Sequence, residues 1–379
     1  MIFSPAPIPA AETRRYRAPG RVNLIGEHTD YNDGFVLPVA LAYATYVTAR
    51  ARDDRRVTVT SQGFAGTHAF DLDALEAGVK HAWSDHVRGM LIELQRDGAR
   101  LRGVDLAIES DVPVGAGLSS SASLSVAVGL AMLDMACLGV DRVALAKAAQ
   151  RAENAHVGAK VGIMDPFVSA NARDGSALLL DTRSLAFELV PLPHDAAFVV
   201  CNTQVKHEHA TGGYNARRAE CEAGVTALRA RYPDVVALRD VSLHELEAAR
   251  DLLPEVVFRR CRHVVTENAR TLAAARDLGA GDLASFGRAM NASHASMRDD
   301  YEISAPEVDT MVALAHAFGP SVYGARMTGG GFGGSTVNLV RGDAVDAFVT
   351  HIGPAYHAAT GILPIIYRGV GAAGAERLA

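Results

Sequence analysis

A run of polar residues near the start of the chain has the composition of a binding site for a ligand with many hydroxyl groups. The segment PGRVNLIGEHTDY, residues 19–31, places Arg21, Glu27, His28 and Asp30 within ten residues. Carboxylates accept hydrogen bonds from sugar hydroxyls, and a histidine can donate or accept one. The alternative is a solvated loop with incidental charges, and the spacing alone does not decide between the two.

A second segment, rich in glycine and serine, is suited to bind an anion. It has the sequence PVGAGLSSSAS over residues 113–123 and lies between a predicted strand and a predicted helix. Glycines let backbone N–H groups approach an anion, the helix N-terminus adds the positive end of a dipole, and a serine hydroxyl can reach a cation. It is not a Walker A loop, because Gly-Lys occurs nowhere in the chain, nor a Rossmann fingerprint, because Ser120 replaces the third glycine. A glycine turn with a serine cap is the simpler alternative, but the triple serine favours an anion site.

A third segment, MTGGGFGG at residues 327–334, has five glycines in six positions. It matches GxGxxG formally, but residues 335–340 have the pattern of a strand where a dinucleotide site needs a helix. The glycines therefore predict either a tight backbone that lines a ligand or a mobile hairpin loop.

Strands and helices must hold these segments, and the hydrophobic pattern predicts several of them. Strands are predicted over residues 46–50, 57–61, 104–109, 178–180, 198–200 and 335–340. Helices are predicted over residues 120–138, 142–156, 215–231, 254–278 and 282–298. Pro-Leu-Pro-His at 191–194 interrupts the pattern, so we expect two domains, residues 1–192 and 193–379.

The three segments together resemble the motifs of the GHMP kinase superfamily, and residues 20–31 are similar to the sugar motif of its galactokinase family. The resemblance spans about residues 17 to 334, with shorter matches at 83–89, 152–154, 162–165 and 214–221. It implies an α+β fold with the two-domain GHMP kinase architecture. A ribosomal-protein-like N-terminal domain and a ferredoxin-like C-terminal domain would enclose the active site in a cleft.

The resemblance also implies a role for each matching residue. Asp165 would be the catalytic base for the anomeric hydroxyl of the sugar, and Arg21 would stabilise charge near that hydroxyl and the γ-phosphate. The residues that would hold the sugar are Glu27, His28, Thr29, Asp30, Gly162 and Tyr214, with Asp30 bonded to the hydroxyls at C3 and C4. ATP would be bound by Trp83, Gly115, Ala116, Gly117, Leu118, Ser119, Ser120 and Ser121. Mg²⁺ would be bound by Ser121 and Glu153.

The implied reaction is the ATP- and Mg²⁺-dependent phosphorylation of α-D-galactose to galactose 1-phosphate, the first committed step of galactose metabolism. Two other functions remain open: a kinase for a related sugar, such as N-acetylgalactosamine or galacturonate, and a galactose sensor that signals to a partner protein. The sequence departs from the family pattern twice, with Pro166 in place of the usual Gln after the catalytic Asp and Ser335 in place of a Cys. The first departure bears on the position of Asp165, and we expect the second to be neutral.

Composition excludes several other classes. Apolar residues make up 49% and charged residues 21% of the 379, as in ordinary globular proteins, and the net charge of −6 argues against nucleic-acid binding. The four cysteines form no CxxC pair, and His207-Glu208-His209 has no recognised metal-ligand spacing. No apolar run reaches the length of a membrane span. We therefore expect a cytoplasmic protein; the resemblance implies sugar and ATP as its ligands, and we expect a monomer.

Overall fold

Thirteen strands form three sheets in the part of the chain that the structure describes. The structure, a computed structural model, describes residues 12–77, 83–113, 115–158, 161–206 and 210–379. The strands are β1 (Thr13–Asn23), β2 (Phe35–Val36), β3 (Pro38–Ala51), β4 (Arg56–Ser61), β5 (Phe64–Asp71), β6 (Val104–Ser110), β7 (Ser176–Asp181), β8 (Phe187–Pro191), β9 (Ala196–Lys206), β10 (Val322–Thr328), β11 (Gly333–Arg341), β12 (Ile365–Tyr367) and β13 (Glu376–Arg377).

The sheets have the strand orders β13-β1-β3-β6-β4-β5, β10-β11-β9-β12 and β2-β7-β8. All strand pairs are antiparallel except β4 with β6. The helices are α1 (Asp85–Arg96), α2 (Ser120–Met135), α3 (Arg142–Ala152), α4 (Met164–Asn171), α5 (Ala210–Leu228), α6 (Leu243–Ala248), α7 (Glu255–Gly279), α8 (Leu283–Asp299), α9 (Pro306–Ala317) and α10 (Val345–Thr360). Separate helices and largely antiparallel sheets agree with the expected α+β class.

Helix α2 is the centre of the first core. It packs against β1 and β3 on one side and against α1, α3 and α4 on the others. Its residues Val126, Leu130 and Leu133, which the sequence placed on one side of a helix, are all buried. Because the glycine- and serine-rich segment runs directly into α2, this packing fixes the position of that segment.

A second core joins the two halves of the chain. Val22 and Leu37 from the first half pack in one cluster with Phe198 and Phe286 from the second. The expected division at residue 193 falls between β8 and β9, and β9 to β12 form a sheet of their own. The last strand, β13, returns to pair with β1.

The predicted helix over residues 142–156 changes type near its end. Helix α3 ends at Ala152, and residues Glu153–Val157 form a wider π-helical turn. Gly158, with φ of 90°, then ends the turn in a left-handed conformation that glycine adopts without strain. The short motif His207-Glu208-His209 lies outside the described residues. Among the helices that are described, none is long and apolar enough to cross a membrane.

Candidate active site

Two adjoining cavities bring the three sequence motifs together. The larger, of about 350 Å³, is called the loop cavity here, and the smaller, of about 200 Å³, the acidic cavity. The loop cavity is lined by Gly115 and residues 117–121 of the glycine- and serine-rich segment, and by Gly330, Gly331, Gly333 and Gly334 of the third motif. The acidic cavity is lined by Glu27, His28, Asp30 and Gly162. Arg21 and Asp165 line both cavities and so stand at their junction.

Asp165 and Arg21 form a bidentate ion pair at this junction. Arg21 is the ninth residue of β1, and Asp165 lies in the first turn of α4. Nε of Arg21 donates to Oδ1 of Asp165 at 2.7 Å, and Nη2 donates to Oδ2 at 2.6 Å. The Ser119 hydroxyl also donates to Oδ2. This planar fork, which only arginine offers, fixes the orientation of the carboxylate.

The glycine- and serine-rich segment is held by bonds to its own backbone carbonyls. Nη1 of Arg21 donates to the Gly117 carbonyl at 2.7 Å, and the buried Ser335 hydroxyl donates to the Ala116 carbonyl at 2.8 Å. Gly115 and Gly117 have φ of 79° and 75°, and Ser119, at the start of α2, has φ of 62°. These bonds fix the backbone of the segment at the start of α2, where helix N-terminal N–H groups are suited to bind an anion. The Ser335 hydroxyl therefore links this segment to β11 by a hydrogen bond.

Ser121 and Glu153 meet on the wall of the loop cavity. The Ser121 hydroxyl donates to Oε1 of Glu153 at 2.9 Å. Burial, and next the negative charge of Asp165, raise the pKa of Glu153 to about 7. A hydroxyl and a carboxylate side by side are oxygen ligands of the kind that Mg²⁺ prefers. The pair is therefore chemically suited to that ion.

The acidic cavity is walled by buried polar groups, so the interpretation of residues 19–31 as a solvated loop is wrong. Glu27 is 2% exposed and accepts the Gly329 backbone N–H at 2.7 Å, and its other oxygen lies 3.3 Å from Nη2 of Arg326. His28 is 5% exposed, and its Nδ1 lies 2.6 Å from the Tyr31 hydroxyl. Burial is the main cause that lowers the pKa of His28 to about 3, so its imidazole is neutral at pH 7.

Asp30 depends on Gly162 for its position. A Cβ atom at residue 162 would lie only 1.6 Å from Oδ2 of Asp30, so no side chain fits there. Burial, and next the negative charge of Asp165, raise the pKa of Asp30 to about 6. Tyr214, from α5, lines both cavities, and its ring centroid is 5.2 Å from that of His28.

Comparison with known proteins agrees with this geometry. The galactokinase galactose-binding signature matches residues 9–51, the GHMP kinase N-terminal domain residues 85–173, and the GHMP kinase C-terminal domain residues 273–356. A galactokinase of Roseiflexus sp. (strain RS-1) is 49% identical over 351 residues, which cover 93% of this chain and 89% of the relative. A galactokinase of Chloroflexus aurantiacus is 50% identical over 349 residues, 92% and 89% of the two chains.

The chain belongs to the galactokinase family. The structure of Lactococcus lactis galactokinase, solved in complex with galactose, superposes with a TM-score of 0.93 at 38% identity and covers 97% of this chain and 95% of its own. The two-domain GHMP kinase fold expected from the motifs is thereby confirmed. Membership of this kinase superfamily implies that ATP is the phosphoryl donor.

Three residues of the expected galactokinase site do not line either cavity: Thr29, Trp83 and Ala116, whose carbonyl accepts from the Ser335 hydroxyl. Thr29 is buried, and its hydroxyl lies 2.9 Å from the Gly26 carbonyl and 2.7 Å from that of Phe35, so it closes the turn of the sugar motif. Trp83 stacks on Phe64 with ring centroids 5.4 Å apart, next to the start of α1. Neither contact involves a wall of the two cavities.

Three contributions were missed by the sequence analysis. Tyr31 is part of the first motif, yet its bond to His28 was not foreseen. Ser119 was expected only on ATP, whereas its hydroxyl contacts Asp165. The buried Arg326, beside Glu27, precedes the third motif by one residue but was not singled out. The motifs contain or border all three positions, but only the folded chain shows which side chain each one meets.

Proposed function

We propose that this galactokinase transfers the γ-phosphoryl group of ATP to the anomeric hydroxyl of α-D-galactose. The observation that carries the proposal is the place of Asp165, at the junction of a cavity suited to phosphates and a cavity suited to a sugar. A carboxylate there can contact both reactants. The products are galactose 1-phosphate and ADP.

Asp165 acts as the base. Its Oδ1 accepts one hydrogen bond, from Arg21, whereas Oδ2 accepts two, from Arg21 and Ser119. Each carboxylate oxygen has two acceptor positions, so Oδ1 keeps one for the anomeric hydroxyl. The hydroxyl proton moves to Oδ1 while the sugar oxygen bonds to the γ-phosphorus and the bond from that phosphorus to the β-phosphate oxygen breaks.

The acidic cavity holds the sugar. Glu27, His28 and Asp30 offer acceptors and an imidazole that is neutral at pH 7, and Tyr214 adds a ring and a hydroxyl. Asp30 accepts from the hydroxyls at C3 and C4, and Gly162 keeps the space next to it free. Thr29 supports the cavity through the backbone instead of contacting the sugar.

Residues 115–121 hold the ATP phosphates through their backbone N–H groups at the start of α2. Ser121 and Glu153 hold Mg²⁺, which when bound offsets phosphate charge. In the described part of the chain, no three His, Cys, Asp or Glu side chains are grouped for a metal ion. A single carboxylate and a hydroxyl suit Mg²⁺, which commonly takes one or two protein ligands and completes its shell with phosphate oxygens and water.

The domain division at residues 1–192 and 193–379, the monomeric state and the cytoplasmic location stay predictions. The contact of Trp83 with the nucleotide is also a prediction, and its ring lies beside Phe64 and His68.

A coupled ADP-release assay with a panel of hexoses, with and without Mg²⁺, tests the proposal. We expect turnover with galactose to be far higher than with glucose and to require Mg²⁺. Higher turnover with an N-acetylated or acidic sugar would favour the related kinase. Binding of sugar and ATP without ADP release would favour the sensor, although sensors of this family carry a shortened serine loop and Ser121-Ala122-Ser123 is intact here.

Asp165→Asn tests the base directly. It preserves the shape of the side chain and removes its basicity, so we expect kcat to fall at least about a hundredfold, within the range of about 10²–10⁴ for loss of a general base. Galactose binding measured by calorimetry should persist. Turnover near the wild-type value would mean that Asp165 is not the base.

A further inference from the structure

Helix α7 presents a row of buried polar side chains to the backbone of residues 26–35, which carry the sugar motif. The row consists of His263, Glu267 and Thr271, spaced four residues apart, with Asn268 beside them. Residues four apart lie on one face of a helix, so these side chains point the same way. No motif recognised in the sequence includes any of them.

Glu267 holds the turn that precedes Glu27. Its Oε1 accepts the Gly26 backbone N–H at 3.0 Å and the Ser293 hydroxyl at 2.5 Å, and its Oε2 is paired with Arg270. The side chain is fully buried. Gly26 itself has φ of 97°, and a Cβ atom there would lie 2.6 Å from the Phe35 carbonyl oxygen and 3.0 Å from Oγ1 of Thr271. The turn is therefore pressed against α7 and bonded to it.

His263 holds the next residue. Its Nε2 lies 3.1 Å from the Glu27 carbonyl oxygen, and its Nδ1 lies 2.9 Å from the Ser296 hydroxyl. A carbonyl oxygen only accepts, so Nε2 carries the proton and Nδ1 accepts from Ser296. The imidazole thereby fixes the backbone from which the Glu27 side chain extends into the acidic cavity.

Asn268 holds the far end of the segment. Its Oδ1 accepts the Phe35 backbone N–H at 3.0 Å, and a Cβ atom at Gly34 would lie 2.1 Å from the same oxygen. The residues that contact the sugar are therefore fixed at both ends of their segment by one helix from the other half of the chain.

We propose that His263, Glu267 and Asn268 are positioning residues for the sugar site. They act through backbone bonds on either side of Glu27, His28 and Asp30, and they touch neither cavity. This inference rests on the proposed function. Because the segment carries sugar contacts and no phosphate contacts, loss of these bonds weakens galactose binding and leaves ATP binding unchanged.

The test compares steady-state constants and calorimetric galactose affinity for Glu267→Ala, Glu267→Gln and a control. Glu267→Ala removes the acceptor for the Gly26 N–H, and we expect the KM for galactose to rise about tenfold while the KM for ATP stays within about twofold. Glu267→Gln retains an acceptor oxygen and should give a smaller rise. The control is Val264→Ala, a buried residue of the same helix whose apolar side chain makes no hydrogen bond to residues 26–35.

A rise in both KM values, or an equal rise for galactose in Val264→Ala, would show general loosening of the fold and overturn the inference. If Glu267→Ala does not fold, Asn268→Ala removes the neutral acceptor for the Phe35 N–H and must give the same selective rise. An unchanged KM for galactose in a folded variant of either residue overturns the inference alone. Absence of galactose turnover by the wild type overturns the proposed function and this inference together.

Discussion

Replacement of Gly162 by alanine should act on Asp30 and on little else. The added Cβ atom would lie 1.6 Å from Oδ2 of Asp30 and 2.3 Å from its Cγ. Contacts of a real Cβ atom below 3.0 Å essentially do not occur, so the oxygen must move by about 1.4 Å, the difference between 3.0 and 1.6 Å. Gly162 does not have a positive φ, so alanine is allowed by the backbone and the effect is steric.

The expected cost follows from the bonds that Asp30 makes with the sugar. A hydrogen bond to a charged group contributes about 1.5–3 kcal/mol, and about 1.4 kcal/mol corresponds to a factor of ten in rate. Displacement of the Asp30 carboxylate should therefore lower kcat/KM for galactose roughly 10–100-fold for each bond lost. The equatorial C4 hydroxyl of glucose gains nothing from that carboxylate, so glucose should lose less.

The assay is ADP release with galactose and with glucose for Gly162→Ala and for Gly139→Ala. Gly139 lies in the turn after α2, and a Cβ atom there would meet nothing within 4 Å, so it is the matched control. We expect the ratio of galactose to glucose turnover to shrink in Gly162→Ala alone. An unchanged ratio in a folded Gly162→Ala protein would refute the assignment of Asp30 to the C4 hydroxyl.

Three further outcomes are expected. Because the pKa of Asp30 is raised to about 6, its ionised fraction falls as the pH falls, and galactose affinity by calorimetry should be about tenfold lower at pH 5 than at pH 7, with no such difference in Asp30→Asn. Ser121→Ala and Glu153→Gln should each raise the Mg²⁺ concentration that gives half the maximal rate at saturating galactose. If both variants need the same Mg²⁺ concentration as the wild type, Ser121 is only a helix cap and Glu153 only a buried acid. Pro166→Gln should change kcat less than about tenfold, because proline has no backbone N–H and the N–H that glutamine adds lies in the first turn of α4, where no intrahelical partner is needed. A change of preferred sugar in that variant would show that the position selects the substrate.

The sequence was sufficient to predict that three separated motifs meet in one site. Arg21, Asp165 and Ser121 were each expected at the reacting groups, and the structure places all three on the wall of the loop cavity. This was predictable through the resemblance to the GHMP kinase motifs, because the spacing of residues 19–31 alone did not decide between a ligand site and a solvated loop. The fold class was predictable for the same reason, through the family that shares the motifs.

The contacts from helix α7 that hold the sugar motif could not be predicted from the sequence. Glu267 and Gly26 are 241 residues apart, and polar residues spaced four apart on a helix normally indicate a solvated face. The inward orientation of Glu267 depends on Arg270 and Ser293, which only the folded chain brings to it. The sequence likewise did not predict that the Thr29 hydroxyl donates to the Gly26 carbonyl, because that bond depends on the folded turn.

Arg21 has enough N–H donors to contact both the base Asp165 and the transferring phosphoryl group. A guanidinium has five N–H donors, and three of those of Arg21 are bonded, two to Asp165 and one to the Gly117 carbonyl. One N–H therefore remains on each terminal nitrogen, and the side chain stands at the junction of the cavities. Those two donors can contact the transferring phosphoryl group while the other three hold the base and the segment that binds the phosphates. A loose phosphoryl transition state requires mainly positioning and charge stabilisation, and one side chain thus supplies both, which an ammonium group without a planar fork cannot do.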